Sequence, residues 1–278
     1  MKTMKTLSAA ALVIGVMGGV MTAGGNAQAA VGPKAPALDW SFNGIFGTYD
    51  RASLQRGFQV FKSVCASCHS MNLMAFRNLE ALGYNEDEVK AIAADYEVQA
   101  GPNDDGEMFM RSANPADRWP APFANDKIAA ISNGGAIPPD LSLITKARGS
   151  GGDSAIRASL LQPGGFPLGA DYIHALLTGY KEEAPAGFSL AGGKYYNVYF
   201  PGNTISMAPP LYPDGVEYAD GTQATVDQQA RDVAMFLNWV SEPELEQRKN
   251  LGIKVMLFLL VLTAMLYALK RKIWANVH

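Results

Sequence analysis

Cys65-Ala66-Ser67-Cys68-His69 brings two thiols and an imidazole together within five residues. In a C-x-x-C-H pattern each thiol can add across one vinyl group of a haem. The two-residue spacer matches the porphyrin edge, and the adjoining imidazole falls beneath the iron. The stretch therefore reads as covalent attachment of one haem c, with Cys65 and Cys68 as thioether links and His69 as an axial ligand. Beyond Cys65, Cys68 and His69 only His174 and the C-terminal His278 remain, which fits poorly with a structural zinc site and its four N/S ligands. A thioredoxin-like dithiol would want a βαβ setting, which the flanking pattern does not offer.

The second axial ligand must come from elsewhere. Met207 stands between the Gly202-Asn203 turn and Pro209-Pro210, where a thioether on a braced loop can approach iron without collapsing into a core. His174 is the only other internal imidazole, and it lies beside the apolar stripe of a short helix. His and Met on one iron raise its potential relative to two His, and filling both positions points to electron transfer rather than chemistry at the metal. A proline carbonyl can accept the Nδ1 proton of the proximal His and set its ring plane; Pro138 and Pro139 both qualify. Arg148 follows closely enough to reach a propionate, which a guanidinium can hold with two hydrogen bonds.

These groups need elements to carry them. Leu54, Phe58, Phe61 and Val64 recur at helical spacing after Asp50 and deliver the chain to Cys65. Gly57 interrupts that helix at about 1 kcal/mol, which makes sense if another backbone comes close there. The partner is Thr225 to Val240, with Val226, Ala230, Val233, Phe236, Leu237 and Val240 on one side and a Thr225–Gln228 capping box at its start. Such a pair, crossing through a glycine and aromatics, is similar to class I cytochromes c. The expected fold is mainly α, a class I cytochrome c-like haem domain with long loop insertions and one C-terminal transmembrane helix. Between the two helices the pattern predicts a Met71–Leu79 segment over a haem edge and a helix over 84–96 begun by Asn85. A polar loop over 100–126, a short helix from Asn125 to Ile131, a Gly/Ser/Pro-rich insert over 149–169 and a helix from Asp171 to Tyr180 follow. Val31 to Thr48 reads as an irregular wrap.

Both ends point to a membrane. Residues 1–29 have Lys2 and Lys5, an apolar run and Ala27-Gln28-Ala29, the pattern of a cleaved export signal. Residues 249–270 are long and apolar enough for a transmembrane helix, with Lys254 near its edge and Trp239 and Trp274 as candidate interfacial aromatics. Lys270-Arg271-Lys272 places the tail, 271–278, in the cytoplasm, so the body, 30–248, faces the periplasm. Six of the 23 Lys and Arg lie outside residues 30–249, leaving 17 within them against all 26 Asp and Glu. An acidic body suits a basic mobile partner and argues against nucleic acid. Glu86-Asp87-Glu88 and Asp104-Asp105 are candidate steering groups.

Several stretches together resemble the cytochrome c1 family, the haem subunit of the cytochrome bc1 complex: RGFQVFKSVCASCHSMNLMAFRNL, GAIPPDLSLITKARG, LLTGY, NVYFPGNTISMAPPLY, RDVAMFLNWVSEPE and the tail helix. The resemblance implies His69 and Met207 as axial ligands, Cys65 and Cys68 as thioether links, Arg148 at a propionate and Tyr172 near the haem. It implies a bacterial inner-membrane protein that works beside cytochrome b, taking one electron from a Rieske iron–sulfur protein and passing it to a soluble c-type cytochrome. Membrane lipid is the other expected partner. The 149–170 segment is longer than in mitochondrial relatives, and a second Cys pair known in some bacterial ones is missing. The alternative is a free-standing membrane-anchored cytochrome serving another oxidase or reductase; co-purifying subunits separate the two.

Overall fold

A computed structural model describes residues 34–149 and 169–275. The expected export signal, almost all of the Gly/Ser/Pro-rich insert and the end of the C-terminal tail lie outside the described residues.

The architecture is organised by the crossing of α1 (Arg51–Ser63) and α6 (Val226–Ser241). Asp50 caps α1 by accepting from the backbone of Ala52 and Ser53, and Thr225 caps α6 by accepting from Gln228 N. The anticipated capping box is incomplete, because the Gln228 side chain donates instead to Asp232 at 2.9 Å. At Gly57 the two helices meet: a Cβ there would lie 2.1 Å from the Asp232 carbonyl oxygen and 2.7 Å from Phe236 Cβ. Only glycine allows the axes this close.

Leu54, Phe58 and Phe61 from α1 and Val233, Phe236 and Leu237 from α6 are buried between them. The core extends over Trp119, whose ring stands 5.4 Å from Phe61, 5.1 Å from Phe76 and 4.7 Å from Tyr96. Met71, Met74, Phe76 and Leu79 are drawn into this core, so the segment expected to cover a haem edge is mostly structural; Leu73 alone of its apolar side chains stays exposed. Burial of these groups is the main favourable term of the fold.

Crossing α6 from the other side are α4 (Ile144–Ala147) and α5 (Gly169–Thr178). A buried hydroxyl pair, Thr145 with Ser241, fastens α4 to α6. Asp171, buried on α5, accepts from Leu38 N and Trp40 Nε1, both at 2.8 Å, and so ties down the N-terminal wrap. α2 (Glu86–Ala94) and α3 (Asp126–Ser132) begin at Asn85 and Asn125 as their sequences suggest.

Two small sheets complete the body. The hairpin β1 (Glu97–Ala100) with β2 (Phe109–Ser112) occupies part of the stretch expected to be loop, in antiparallel register Glu97 to Ser112. Its strands are four residues long; Glu97–Ala100 alternates polar and apolar, but over too few residues to mark a strand, and Phe109–Ser112 does not alternate. The second sheet runs β3 (Tyr180–Lys181), β4 (Tyr195–Asn197), β5 (Thr204–Ile205). Tyr180, expected at a helix end, instead opens β3.

The last helix, α7 (Leu245–Trp274), is long and apolar enough to cross a membrane, and its most apolar window is wholly exposed. Trp239 is not an interfacial residue: it lies buried in α6, its ring 5.9 Å from Phe236. Trp274 is exposed.

Candidate functional site

α1 ends at Ser63, and a tight 3-10 turn, Cys65–Ser67, follows at once. Within it Cys68 N and His69 N both donate to the Cys65 carbonyl, at 3.1 and 2.9 Å. The turn gathers the two cysteines and the imidazole at one end of the α1–α6 crossing. Both thiols are free, and burial, with the neighbouring Cys68, pushes Cys65 up to about 12. Among the described residues no three His, Cys, Asp or Glu side chains converge to cage a metal ion.

The His69 Nδ1 donates to the carbonyl oxygen of Pro139 at 2.8 Å. A carbonyl can only accept, so the proton is on Nδ1 and the Nε2 lone pair is left for a ligand. Burial also holds the imidazole in its neutral form, its pKa below the ordinary His value despite the opposing pull of the Pro139 bond and Asp140. Of the two candidate prolines it is Pro139 that faces the ring.

Asp140, whose role the sequence did not disclose, fixes that turn. Its Oδ2 accepts from Ser70 Oγ and Asn72 N, both at 2.8 Å, and its Oδ1 from Ser142 N at 2.9 Å. Leu141 N adds a bond to the Ser70 carbonyl at 2.9 Å. Burial pushes this carboxyl up, but the bonds from Ser142, Asn72 and Ser70 outweigh it and hold the pKa below the usual range. The stretch after His69 and the stretch carrying Pro139 are thereby stapled together.

Met207 sits two residues beyond β5, half-buried. Its loop is braced by more than prolines. The Tyr180 hydroxyl donates to the Met207 carbonyl at 3.1 Å, and burial pushes that hydroxyl's pKa up, so it stays a donor. Buried Asn197 donates to the Leu176 carbonyl at 2.7 Å and accepts from Tyr199 N and Phe200 N. Asn203, at φ +58°, donates to the carbonyls of Asn197 and Val198.

Arg148 caps α4 and is exposed. Tyr172 on α5 is half-buried; burial raises its hydroxyl and the nearby Arg148 charge pulls it partway back. Tyr172 in turn acts on Tyr180. The sequence-selected Arg148, Tyr172 and Met207 are thus linked in space through Tyr180. His174 is not among them: its Nε2 pairs with Asp227 in the first turn of α6 at 2.9 Å.

A C-x-x-C-H turn at the junction of two crossed helices, an imidazole with its Nε2 free and a single apolar helix at the C-terminus define a membrane-anchored c-type cytochrome. The cytochrome C1 family model matches residues 40–277. Cytochrome c1 of Rhodospirillum rubrum is 50% identical over 290 aligned positions, covering 99% of both chains. A mitochondrial cytochrome c1 heme protein of Arabidopsis thaliana is 46% identical over 246 positions, 88% of this chain and 74% of that one. The cytochrome b-c1 complex catalytic subunit of Candida albicans is 44% identical over 257 positions, 92% and 83% respectively. The chain belongs to the cytochrome c1 family, and is a haem-bearing electron carrier of the respiratory chain.

Proposed function

We propose that the chain holds one haem c through Cys65 and Cys68, with His69 and Met207 as its axial ligands. In this reading it is the electron-transfer subunit of a quinol–cytochrome c reductase. It takes one electron from a Rieske iron–sulfur protein and passes it to a soluble c-type cytochrome, on the periplasmic side of a bacterial inner membrane. The observation that carries the reading is the His69–Pro139 bond, which presents a neutral imidazole with its Nε2 lone pair unclaimed beside two free thiols.

When bound, the haem supplies a one-electron iron couple. The chain's residues supply the rest. Pro139 sets the plane of the His69 ring, as outer-shell partners of metal ligands do, and Asp140 holds Pro139 in place. Tyr180 fixes the backbone from which the Met207 thioether projects. Arg148, whose charge reaches the Tyr172 hydroxyl, is the proposed partner of a propionate. With both axial positions filled, the protein by itself is an electron carrier in this reading, and catalysis belongs to the complex.

Cytochrome b is the proposed membrane neighbour, supported by the name of the Candida relative as a subunit of the b-c1 complex. The segment 249–270 is proposed as the membrane span, 271–278 as the cytoplasmic tail and 1–29 as the removed export signal.

Met207→Leu tests the ligand assignment. The variant is expected to lose six-coordination, bind carbon monoxide in its ferrous state and show a lower midpoint potential. An unchanged potential with a six-coordinate spectrum would overturn it. Purification in mild detergent tests the assembly, which predicts that a cytochrome b and an iron–sulfur protein come along.

A further inference from the structure

The loop from Ser41 to Thr48 is built as a rigid stalk with an apolar tip. Thr48 N donates to the Ser41 carbonyl at 3.0 Å and Asn43 N to the Trp40 carbonyl at 2.9 Å. Phe42 and Tyr49 flank it, both buried and packed at 5.2 Å, with Trp40 stacked on Phe42 at 5.5 Å. The turn is so tight that a Cβ on Gly47 would lie 1.9 Å from the Asn43 carbonyl oxygen, while Gly44 takes φ +71°. From this base Ile45 and Phe46 project, 40% and 81% exposed.

The stalk is fastened to the start of α7. Lys249 Nζ donates to the Phe42 and Gly47 carbonyls at 2.6 and 3.1 Å. Glu246 accepts from Tyr49 N and from Arg51, both at 2.7 Å. Lys249 precedes Leu251, the first residue of the apolar stretch, by two positions, a rise of about 3 Å along a helix. The base of the loop is therefore pinned to α7 within one turn of the point where the helix turns apolar.

We propose that Ile45 and Phe46 insert into the headgroup–acyl boundary of the bilayer beside α7, a second lipid contact made by the haem-bearing domain. Aromatic side chains favour that depth, and the exposed apolar stretch of α7 begins two residues beyond the lysine that holds the loop. The proposal rests on α7 as a membrane span. Two attachment points, unlike one, fix the rotation of the domain about the helix axis and hence the direction in which the haem site faces.

Spin labels on single-cysteine variants of the full haem-loaded chain in phosphatidylcholine vesicles test this. Phe46→Cys is compared with Asp105→Cys as the water reference and Leu260→Cys as the span reference, each probed with oxygen and with a water-soluble nickel chelate. The oxygen-to-nickel accessibility ratio at position 46 is expected to exceed that at 105 several-fold and approach that at 260. A water-like label at 46 with a lipid-like label at 260 overturns the lipid contact and leaves the span standing; a water-like label at 260 overturns the span itself. Protection of position 46 only when the other membrane subunits are present overturns lipid in favour of a protein neighbour. Should the extra thiol disturb haem attachment, Phe46→Trp gives the same discrimination: added quenching by brominated lipid, measured against the unaltered chain, is expected, and its absence refutes the contact.

Discussion

The Tyr180 hydroxyl donates to the Met207 backbone carbonyl at 3.1 Å, joining the first residue of β3 to the proposed sulfur ligand. Tyr180→Phe removes this bond while keeping the ring. The expected cost is about 1 kcal/mol of stability, felt mainly in the loop. Carbon monoxide binding to the ferrous protein should rise above that of the unaltered chain, because the thioether is held less firmly. Equal carbon monoxide uptake in the two proteins would mean that the hydroxyl does not brace the ligand loop.

Gly57→Ala should be among the most damaging single-methyl additions in the protein. The new Cβ would meet backbone, the Asp232 carbonyl at 2.1 Å, and Phe236 Cβ at 2.7 Å, and neither is the free end of a flexible side chain. Overpacking of this kind costs about 3 kcal/mol. Denaturant unfolding of the haem-loaded chain measures it; a loss below about 1 kcal/mol, ordinary for a tolerated surface change, would show that α1 and α6 can move apart.

What could be read before any coordinates follows a physical line. The C-x-x-C-H turn and the α1–α6 crossing are local patterns: five contiguous residues in one case, a helical stripe broken by Gly57 in the other. The helix starts at Asn85, Asn125 and Thr225 were legible because capping is written in a residue and its neighbours three positions on. Pro139 could not be separated from Pro138, since two carbonyls one residue apart are distinguished only by the turn that aims them. Asp140, Tyr180 and Asn197 were silent because their partners lie 70, 27 and 21 residues away. Trp239 misled for the opposite reason: an aromatic near a membrane segment in sequence was buried in α6 by tertiary packing.

The steering groups divide in the structure. Glu86 and Asp87 share one cation, Lys90, at 2.8 and 3.6 Å, and Glu88 accepts from Asn85 N, so this cluster's charge is partly offset at the start of α2. Asp104 and Asp105, exposed on the β1–β2 connection, pair with no cation among the described residues. The body's excess of acidic groups should still attract a basic acceptor, and the reduction rate should fall about tenfold as salt rises from low to well above physiological strength. Asp104→Asn with Asp105→Asn should flatten that dependence more than Glu86→Gln does. An ionic-strength profile that is flat for the unaltered protein would exclude steering.

Acid should loosen the proximal turn through Asp140. Its folded-state pKa lies below the ordinary carboxylate value, because the bonds from Ser142, Asn72 and Ser70 overcome the burial that opposes them. A depressed pKa contributes stability that is complete above the unfolded value, about 3.9, and is lost as pH falls through the folded one. Asp140→Asn replaces one acceptor oxygen with an amide that points N–H groups at the N–H and O–H donors of Asn72 and Ser70, or at Ser142 N. Near neutral pH the variant should be about 2 kcal/mol less stable. Below about pH 4 the difference should shrink, since the unaltered carboxyl is then losing its charge as well. Denaturant unfolding at a series of pH values checks this. A difference that stays constant down to strongly acidic pH would show that Asp140 stabilises the turn by shape and not by charge.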